Sequence, residues 1–378
     1  MFQLRIAAAL MCGLILSGCG QSATNTPAPP APVAPTQADA AAAVQPSATL
    51  PPPTVAPTTA PVENAGEELR AGFVKAEAQT HYNFSLSFGS MASGGALNLT
   101  NYNATINGED FAVTNTSADA STQPFTVTIR RVAGLTYARG PLPIQQETQP
   151  VWYTLGPNQA LANSPIAMSE VFRALPSRVD LSQMTLVGEE TQDALMCRRY
   201  RGDLAIALGF VDALGTPTTP EAAAAEATPV VERMQAQGFD FGAAEANVLL
   251  CDDGIVHEVT SRVEAKIPNM SDPVIMFLTV TLSEIGGEFA IPVPFEPVEV
   301  GQIVPMAEVI NGGNVREKPS IEGNVVDQVN AYEQVRLVRR NADSTWYQIV
   351  NPRDMVGWVS ASLLQVDGSA AAQLPVGE

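Results

Sequence analysis

Histidine and cysteine are scarce in this chain. Two histidines, His81 and His257, and four cysteines occur in 378 residues. No His/Cys set at metal-binding spacing can be built from them. Neither histidine has a Ser or Cys nucleophile motif around it, and there is neither a Gly-x-Ser-x-Gly sequence nor a phosphate-cradling glycine loop. The paired carboxylates Glu189-Glu190 and Asp252-Asp253 read as a solvated strand edge and a hairpin tip. The sequence therefore predicts no enzyme and no cofactor, and a hydrolase trails the binding functions. Positive charge is also short, with 20 Lys+Arg against 39 Asp+Glu and a net charge of −19. That balance excludes a nucleic-acid partner, whose phosphates need a basic face, and disfavours lying flat on anionic headgroups. The apolar run Ile6–Leu16 is too short to span a bilayer. What is abundant is hydrophobic material, 46% of residues, enough for a core, and the length suggests about two domains.

The N-terminal run ends in "LILSGCGQ", residues 14–21, preceded by a single positive charge at Arg5. The small residues Ser17 and Gly18 stand directly before Cys19, with Leu16 at −3. A plain secretory signal or a buried helix is the simpler alternative. The pattern resembles the bacterial lipoprotein signal, the lipobox. The resemblance implies a signal peptide at 1–18, lipidation of the Cys19 sulfur and acylation of its new amino group. The implied location is the bacterial cell membrane, lipid-anchored on its extracytoplasmic face. Cys12 then leaves with the signal and Cys19 is spent as the anchor. Cys197 and Cys251 remain, an even pair that export turns toward a disulfide rather than two buried thiols.

Residues 19–62 form a Pro/Ala/Thr-rich linker, with eleven prolines and one charged residue, Asp39, between Gly20 and Val62. Such a segment cannot bury a core and is expected to stay disordered, an extended stalk of roughly 130 Å at about 3.1 Å per residue. Folded sequence starts near Glu63. Leu69, Phe73 and Ala76 recur at three- and four-residue spacing, which predicts an amphipathic helix with His81 at its end. The period then changes to two: Tyr82, Phe84, Leu86 and Phe88 alternate with Asn83, Ser85 and Ser87. Further strands are expected in "ALNLTNYNATI", "FTVTIRRVAG", "LTYARG", "VWYTLG", "MTLVGEE", "ALMCRRYRG", the hairpin "NVLLCDDGIVHEVTSRVEAKI" and "PVIMFLTVTLSEI". His257 is expected to face outward on that hairpin. Ten or eleven strands joined mostly by short turns imply a large antiparallel sheet. "AMSEVFRALP" and "PVVERMQAQG" read as helices, and residues 215–229 as an exposed loop.

Three pieces, "LVGEETQDALMCRRY", "LLCDDGIVHEV" and "FLTVTLSEIGGEFAIPVP", together with the order of elements, resemble the LolA/LppX-like family of envelope lipoprotein and lipid carriers. The resemblance spans residues 63–300 and implies an α+β fold, an antiparallel β half-barrel with helices packed inside. It implies that Cys197 and Cys251 lie on neighbouring or nearly neighbouring strands. It also implies an apolar cleft for a lipid or lipopeptide, for which Phe84, Leu86, Phe88, Phe125, Val127 and Ile129 are candidates. Taken singly, each of the six reads more readily as ordinary core than as cleft lining. The long Ala/Pro/Thr loop departs from the family.

Residues 301–366 change character. Asn314-Val315-Arg316, Pro319-Ser320, Trp346-Tyr347, Gly357-Trp358-Val359 and Leu363-Leu364 follow one another in the order and spacing of the bacterial SH3-type domain, which they resemble. That implies a small all-β SH3-like barrel. Asn314, Arg316, Trp346, Tyr347 and Trp358 are its marker residues, and peptidoglycan or an envelope protein is the implied partner. Where the family usually has a glycine before the central strand, Ala331 and Tyr332 stand. Residues 367–378 are expected to be a disordered tail. Two functions follow from the sequence. One is a membrane-anchored protein that holds a lipid or other apolar ligand in the half-barrel. The other is an adaptor in which only the SH3-type domain binds.

Overall fold

The computed structural model describes residues 64–92, 95–119, 122–141, 149–156, 168–215, 230–268 and 270–377. The expected signal, Cys19, the expected linker and nearly all of the loop expected at 215–229 lie outside them. The described residues are mostly β with few helices, arranged as a large sheet and a separate small one.

Helix α1 (Ala65–Glu77) buries Leu69, Gly72, Phe73 and Ala76, with Glu67 and Glu68 in its first turn and Lys75 in its last. Those charges complement the helix dipole. Six strands follow: β1 (His81–Ala92), β2 (Gly95–Asn107), β3 (Asp110–Asp119), β4 (Thr122–Val132), β5 (Leu135–Arg139) and β6 (Tyr153–Leu155). The second half supplies β7 (Thr185–Gln192), β8 (Leu195–Gly202), β9 (Asp240–Cys251), β10 (Val256–Lys266), β11 (Val274–Ser283) and the two-residue β12 (Val298–Glu299). The twelve strands run in the order β12-β6-β5-β4-β3-β2-β1-β11-β10-β9-β8-β7. The halves meet where β1 pairs with β11, and every pairing is antiparallel except that of β12 with β6.

The register explains the two faces. Phe84 lies opposite Ala104 and Leu282, Val113 opposite Ile129, and Ile129 opposite Ala138, so one apolar face runs across the strands. Helices cover that face: Phe172 meets Phe84 edge-on at 6.0 Å, and Phe210 lies 6.5 Å from Phe73 of α1. The opposite face of β1–β4 is mostly polar, rich in Asn, Ser and Thr, with Arg130 of β4 among its few charges. Asn83 accepts from Thr105 at 2.8 Å, and Thr116 and Thr126 share a hydrogen bond at 3.1 Å. This is the division an antiparallel sheet makes when one side meets the core and the other meets water.

Two expected helices are present, α2 (Met168–Ala174) and α4 (Val230–Ala236). Between them lies one that the period does not announce, α3 (Leu204–Gly215). Its first eleven residues are apolar all round but for Asp212, and Ile206, Ala207, Leu208, Phe210 and Ala213 are buried. A helix buried on several sides has no polar stripe to generate a 3.6 period. Its one sequence mark is Asp203, whose carboxylate accepts from the backbone N–H groups of Ala205 (3.0 Å) and Ile206 (3.3 Å). The histidines differ from expectation. His81 opens β1 instead of closing α1. His257 is buried, with Nε2 2.8 Å from the Asp253 carboxylate.

The small sheet contains β13 (Met306–Val309), β14 (Gly313–Arg316), β15 (Val325–Val329), β16 (Gln334–Arg340), β17 (Trp346–Val350), β18 (Val356–Ser360) and β19 (Leu364–Val366). Their order is β15-β14-β18-β17-β16-β13-β19. Val309, Val315, Val335, Leu337, Ile349 and Val359 form its core. The tail corrects the expectation of disorder. Asp367 accepts from the backbone of Ser369 and Ala370 and starts α5 (Gly368–Gln373); Leu374 then inserts into the same core, and Val376 bridges to Arg340. The far end of this short alanine-rich segment is held by buried Leu374 and by backbone hydrogen bonds between Arg340 and both Pro375 and Gly377.

Candidate functional site

Cys19, the expected anchor, lies outside the described residues. The other two expected cysteines are joined. Cys197 on β8 is the direct register partner of Cys251 on β9, and the two form a disulfide across 54 residues of sequence. Leu195 and Leu249 pack around it in a small apolar cluster of their own. It cross-links the two strands nearest the outer edge strand β7.

The six cleft candidates do not form one lining. Phe84, Leu86, Phe88 and Ile129 belong to the main buried cluster, and Phe88 stacks on Tyr102 at 6.3 Å. Val127 packs against that cluster only partly. Phe125 is 43% exposed. Register gives the reason, since Val127 faces Asn115 and Phe125 faces Ser117, so the apolar face turns polar toward that end of β3 and β4. Burial raises the Tyr82 and Tyr102 hydroxyls to about 12, which keeps them neutral.

A charged group sits on the helix-covered face at the other half of the sheet. Arg198 donates to both carboxylate oxygens of Glu68 on α1, one at 2.9 Å, and the buried Tyr200 donates its hydroxyl to Glu68 at 2.8 Å. Burial pushes the Glu68 carboxyl upward. Hydrogen bonds from Arg198 and Tyr200 and the guanidinium charge outweigh it, so the group ends below its ordinary value. Burial and the bond to Glu68 raise the Tyr200 hydroxyl to about 12. All three members are satisfied by one another, and the arrangement ties α1 to β8. The paired acids resolve similarly: Glu190 binds Arg199, while Asp253 accepts from the Ile255 backbone and meets His257. Among the described residues no group of three His, Cys, Asp or Glu side chains is placed to hold a metal, and no helix is long and apolar enough to cross a membrane.

In the small domain Tyr347 lies in the core and Trp358 is buried, whereas Trp346 is only partly covered. Asn314 and Arg316 lie on β14, and Arg316 pairs with Trp358 of β18 and donates to the Gly323 carbonyl at 2.7 Å. These residues build the barrel more than they line a site. The turn lacking glycine keeps a glycine-like backbone, with Tyr332 at φ 69° and 79% exposed. One polar cluster carried no signal in the sequence: Arg130, Arg139 and Trp152 of the large sheet converge on Asp354, more than 200 residues away.

A bacterial SH3 domain is found by family comparison at residues 311–365, matching β14 to β19. The chain has no match among curated proteins. Solved structures with partial likeness include NlpC1 from Trichomonas vaginalis, at 19% identity over 32% of this chain and 36% of that one, with a TM-score of 0.16. The LolA superfamily protein NE2245 from Nitrosomonas europaea is 11% identical over 61% of this chain and 96% of its own, with a TM-score of 0.19. MucB in its complex with MucA(peri) is 12% identical over 83% of this chain and 100% of its own, with a TM-score of 0.18. The chain spans little more than a third of the NlpC structures. At these TM-scores the likenesses assign neither fold nor activity.

Proposed function

We propose that this chain is an extracytoplasmic binding protein, tethered to the bacterial cell membrane through lipidated Cys19. Its bacterial SH3 domain engages a cell-wall or protein ligand, and the proline-rich segment holds it off the membrane. The SH3 domain at residues 311–365 carries this reading. The Cys197–Cys251 disulfide supports the compartment, because such bonds persist where thiols are not kept reduced. No catalytic step is proposed.

The binding role is tested with the full chain. Sedimentation with purified peptidoglycan, and cross-linking in cells followed by mass spectrometry, should recover the wall or a defined envelope protein. Retention unchanged after deletion of residues 301–377 would sink the reading. Replacing Cys19 by alanine should move the protein from the membrane to the soluble fraction, and a variant that stays membrane-bound would refute the anchor.

A second reading is that the large domain is a LolA/LppX-like half-barrel holding an acyl chain. It rests on the apolar, helix-covered face of the sheet and on Phe125, which stays exposed at the end where that face turns polar. Native mass spectrometry of the chain purified from membranes should then show bound lipid that a Phe125→Asp variant loses. Lipid-free protein would leave the SH3 domain as the sole binding module.

A further inference from the structure

Arg130 on β4 and Arg139 on β5 belong to the face of the large sheet turned away from the helices. Register makes them diagonal neighbours, with Arg130 opposite Tyr137 and Thr128 opposite Arg139. Both guanidinium groups lie over the ring of Trp152, at 4.3 and 5.1 Å from its centroid. Two cations on one indole repel each other, and the indole N–H needs an acceptor. One carboxylate answers both requirements. Asp354 Oδ2 accepts from Arg130 Nη2 at 2.8 Å, and Asp354 Oδ1 accepts from Arg139 Nη1 at 2.6 Å and from Trp152 Nε1 at 2.8 Å. In a chain with nearly twice as many acids as bases, such a site is not a by-product of composition.

Asp354 is shaped for the contact by its own turn. Buried Asn351 accepts from the backbone of Arg353 and Met355, each at 3.0 Å, and closes the loop between β17 and β18. Arg353 is turned back into its own domain, toward Asp327 (3.0 Å) and Glu333 (2.9 Å). Asp354, held at φ 65°, points the other way. The charged groups are largely covered, Arg130, Arg139 and Asp354 keeping 16%, 24% and 20% of their side-chain surface exposed. Tyr137 (5% exposed) and Trp152 (4%) are buried without belonging to the large sheet's apolar cluster, and Trp358 (2%) is buried without belonging to the small domain's. The connecting segment is strapped to the same edge: Val298 N–H donates to Trp152 O at 2.9 Å, β12 pairs with β6, and Arg336 donates to the Glu296 carbonyl.

We propose that Arg130, Arg139 and Trp152 form a carboxylate-binding site on the outer face of the large sheet, and that its ligand is Asp354 of the chain's own SH3 domain. The two domains then act as one rigid unit, presenting whatever each binds at fixed spacing and orientation. This holds whichever ligand the SH3 domain takes.

The test uses the full chain, with the cross-peaks of the three tryptophan indole N–H groups in a nitrogen-15 correlation spectrum and with small-angle scattering. Asp354→Asn keeps the shape and tolerates the left-handed backbone. It should shift the Trp152 indole peak and enlarge the radius of gyration, while the Trp346 peak keeps its place as a sign of a folded small domain. Arg139→Gln should give the same pair of changes. In 0.5 M NaCl the wild-type protein should move toward the variant values and the variants should move little. A Trp152 peak and a radius of gyration unchanged in both variants would overturn the proposal, as would a wild-type protein whose domains already tumble independently at low salt.

Discussion

At the scale of single residues, local chemistry decides outcomes that side-chain type alone does not forecast. Tyr332 sits where a glycine would be at ease, and a tyrosine in the left-handed region is strained. Its ring is mostly exposed, so Tyr332→Gly loses little packing. Relief of backbone strain should exceed the added freedom of the unfolded glycine, and the variant is expected to gain about 0.5–1 kcal/mol, read from the denaturant midpoint. Glu68 gives a pH dependence. Its folded pKa lies below the ordinary value of 4.5. The carboxylate's contribution is therefore complete above that value and is lost as pH falls through the lower, folded one. At pH 7 Glu68→Gln should cost about 1 kcal/mol, a modest figure because both partners are one-third exposed. The gap from wild type should close below the folded pKa in chemical denaturation across a pH series. A gap that persists unchanged in acid would show that the charge plays no part.

Elements explain what escaped the sequence. Strands whose faces divide cleanly, such as β1, are legible because alternation survives wherever one side meets water. Helix α3 was hidden for the opposite reason, since it is packed against the sheet on one side and other helices on the other and lacks a solvent stripe. Its close fit makes a prediction. A Cβ added at Gly209 would stand 2.4 Å from Val179 Cγ1 and 3.0 Å from the Arg178 carbonyl. Gly209→Ala should therefore destabilise by about 1–3 kcal/mol through overpacking, although alanine favours an isolated helix. A thermal midpoint above wild type would mean that the contact relaxes freely. The C-terminal tail shows how few contacts hold a short segment: Asp367 caps α5, Leu374 joins the core and Ala371 packs against it.

For the molecule as a whole, the disulfide and the domain contact set what moves. The Cys197–Cys251 bond acts chiefly on the unfolded chain, whose 54-residue loop it closes. The chain-entropy model assigns it roughly 4 kcal/mol, so the Cys197→Ala/Cys251→Ala double variant should lose about 2–4 kcal/mol in denaturant titration. An unchanged midpoint would show that the unfolded ensemble is already constrained there. The pair was expected from the cysteine count and from export, and the LolA/LppX-like resemblance implied neighbouring or nearly neighbouring strands; the direct register pairing on β8 and β9 came with the fold. The candidate ligand residues fared differently. Four of six were absorbed into the core, because alternation marks the face toward the interior and cannot separate packed interior from open cleft.

The sequence by itself determined the strand periods, which are written in local spacing, and, through its resemblance to the bacterial SH3-type domain, the small C-terminal domain. Only the tertiary structure decided that His257 is buried, that α3 is a helix packed into the main core, and that Arg130, Arg139 and Trp152 meet Asp354. These depend on groups far apart along the chain, and their attraction acts only once register and packing have brought them within a few ångströms.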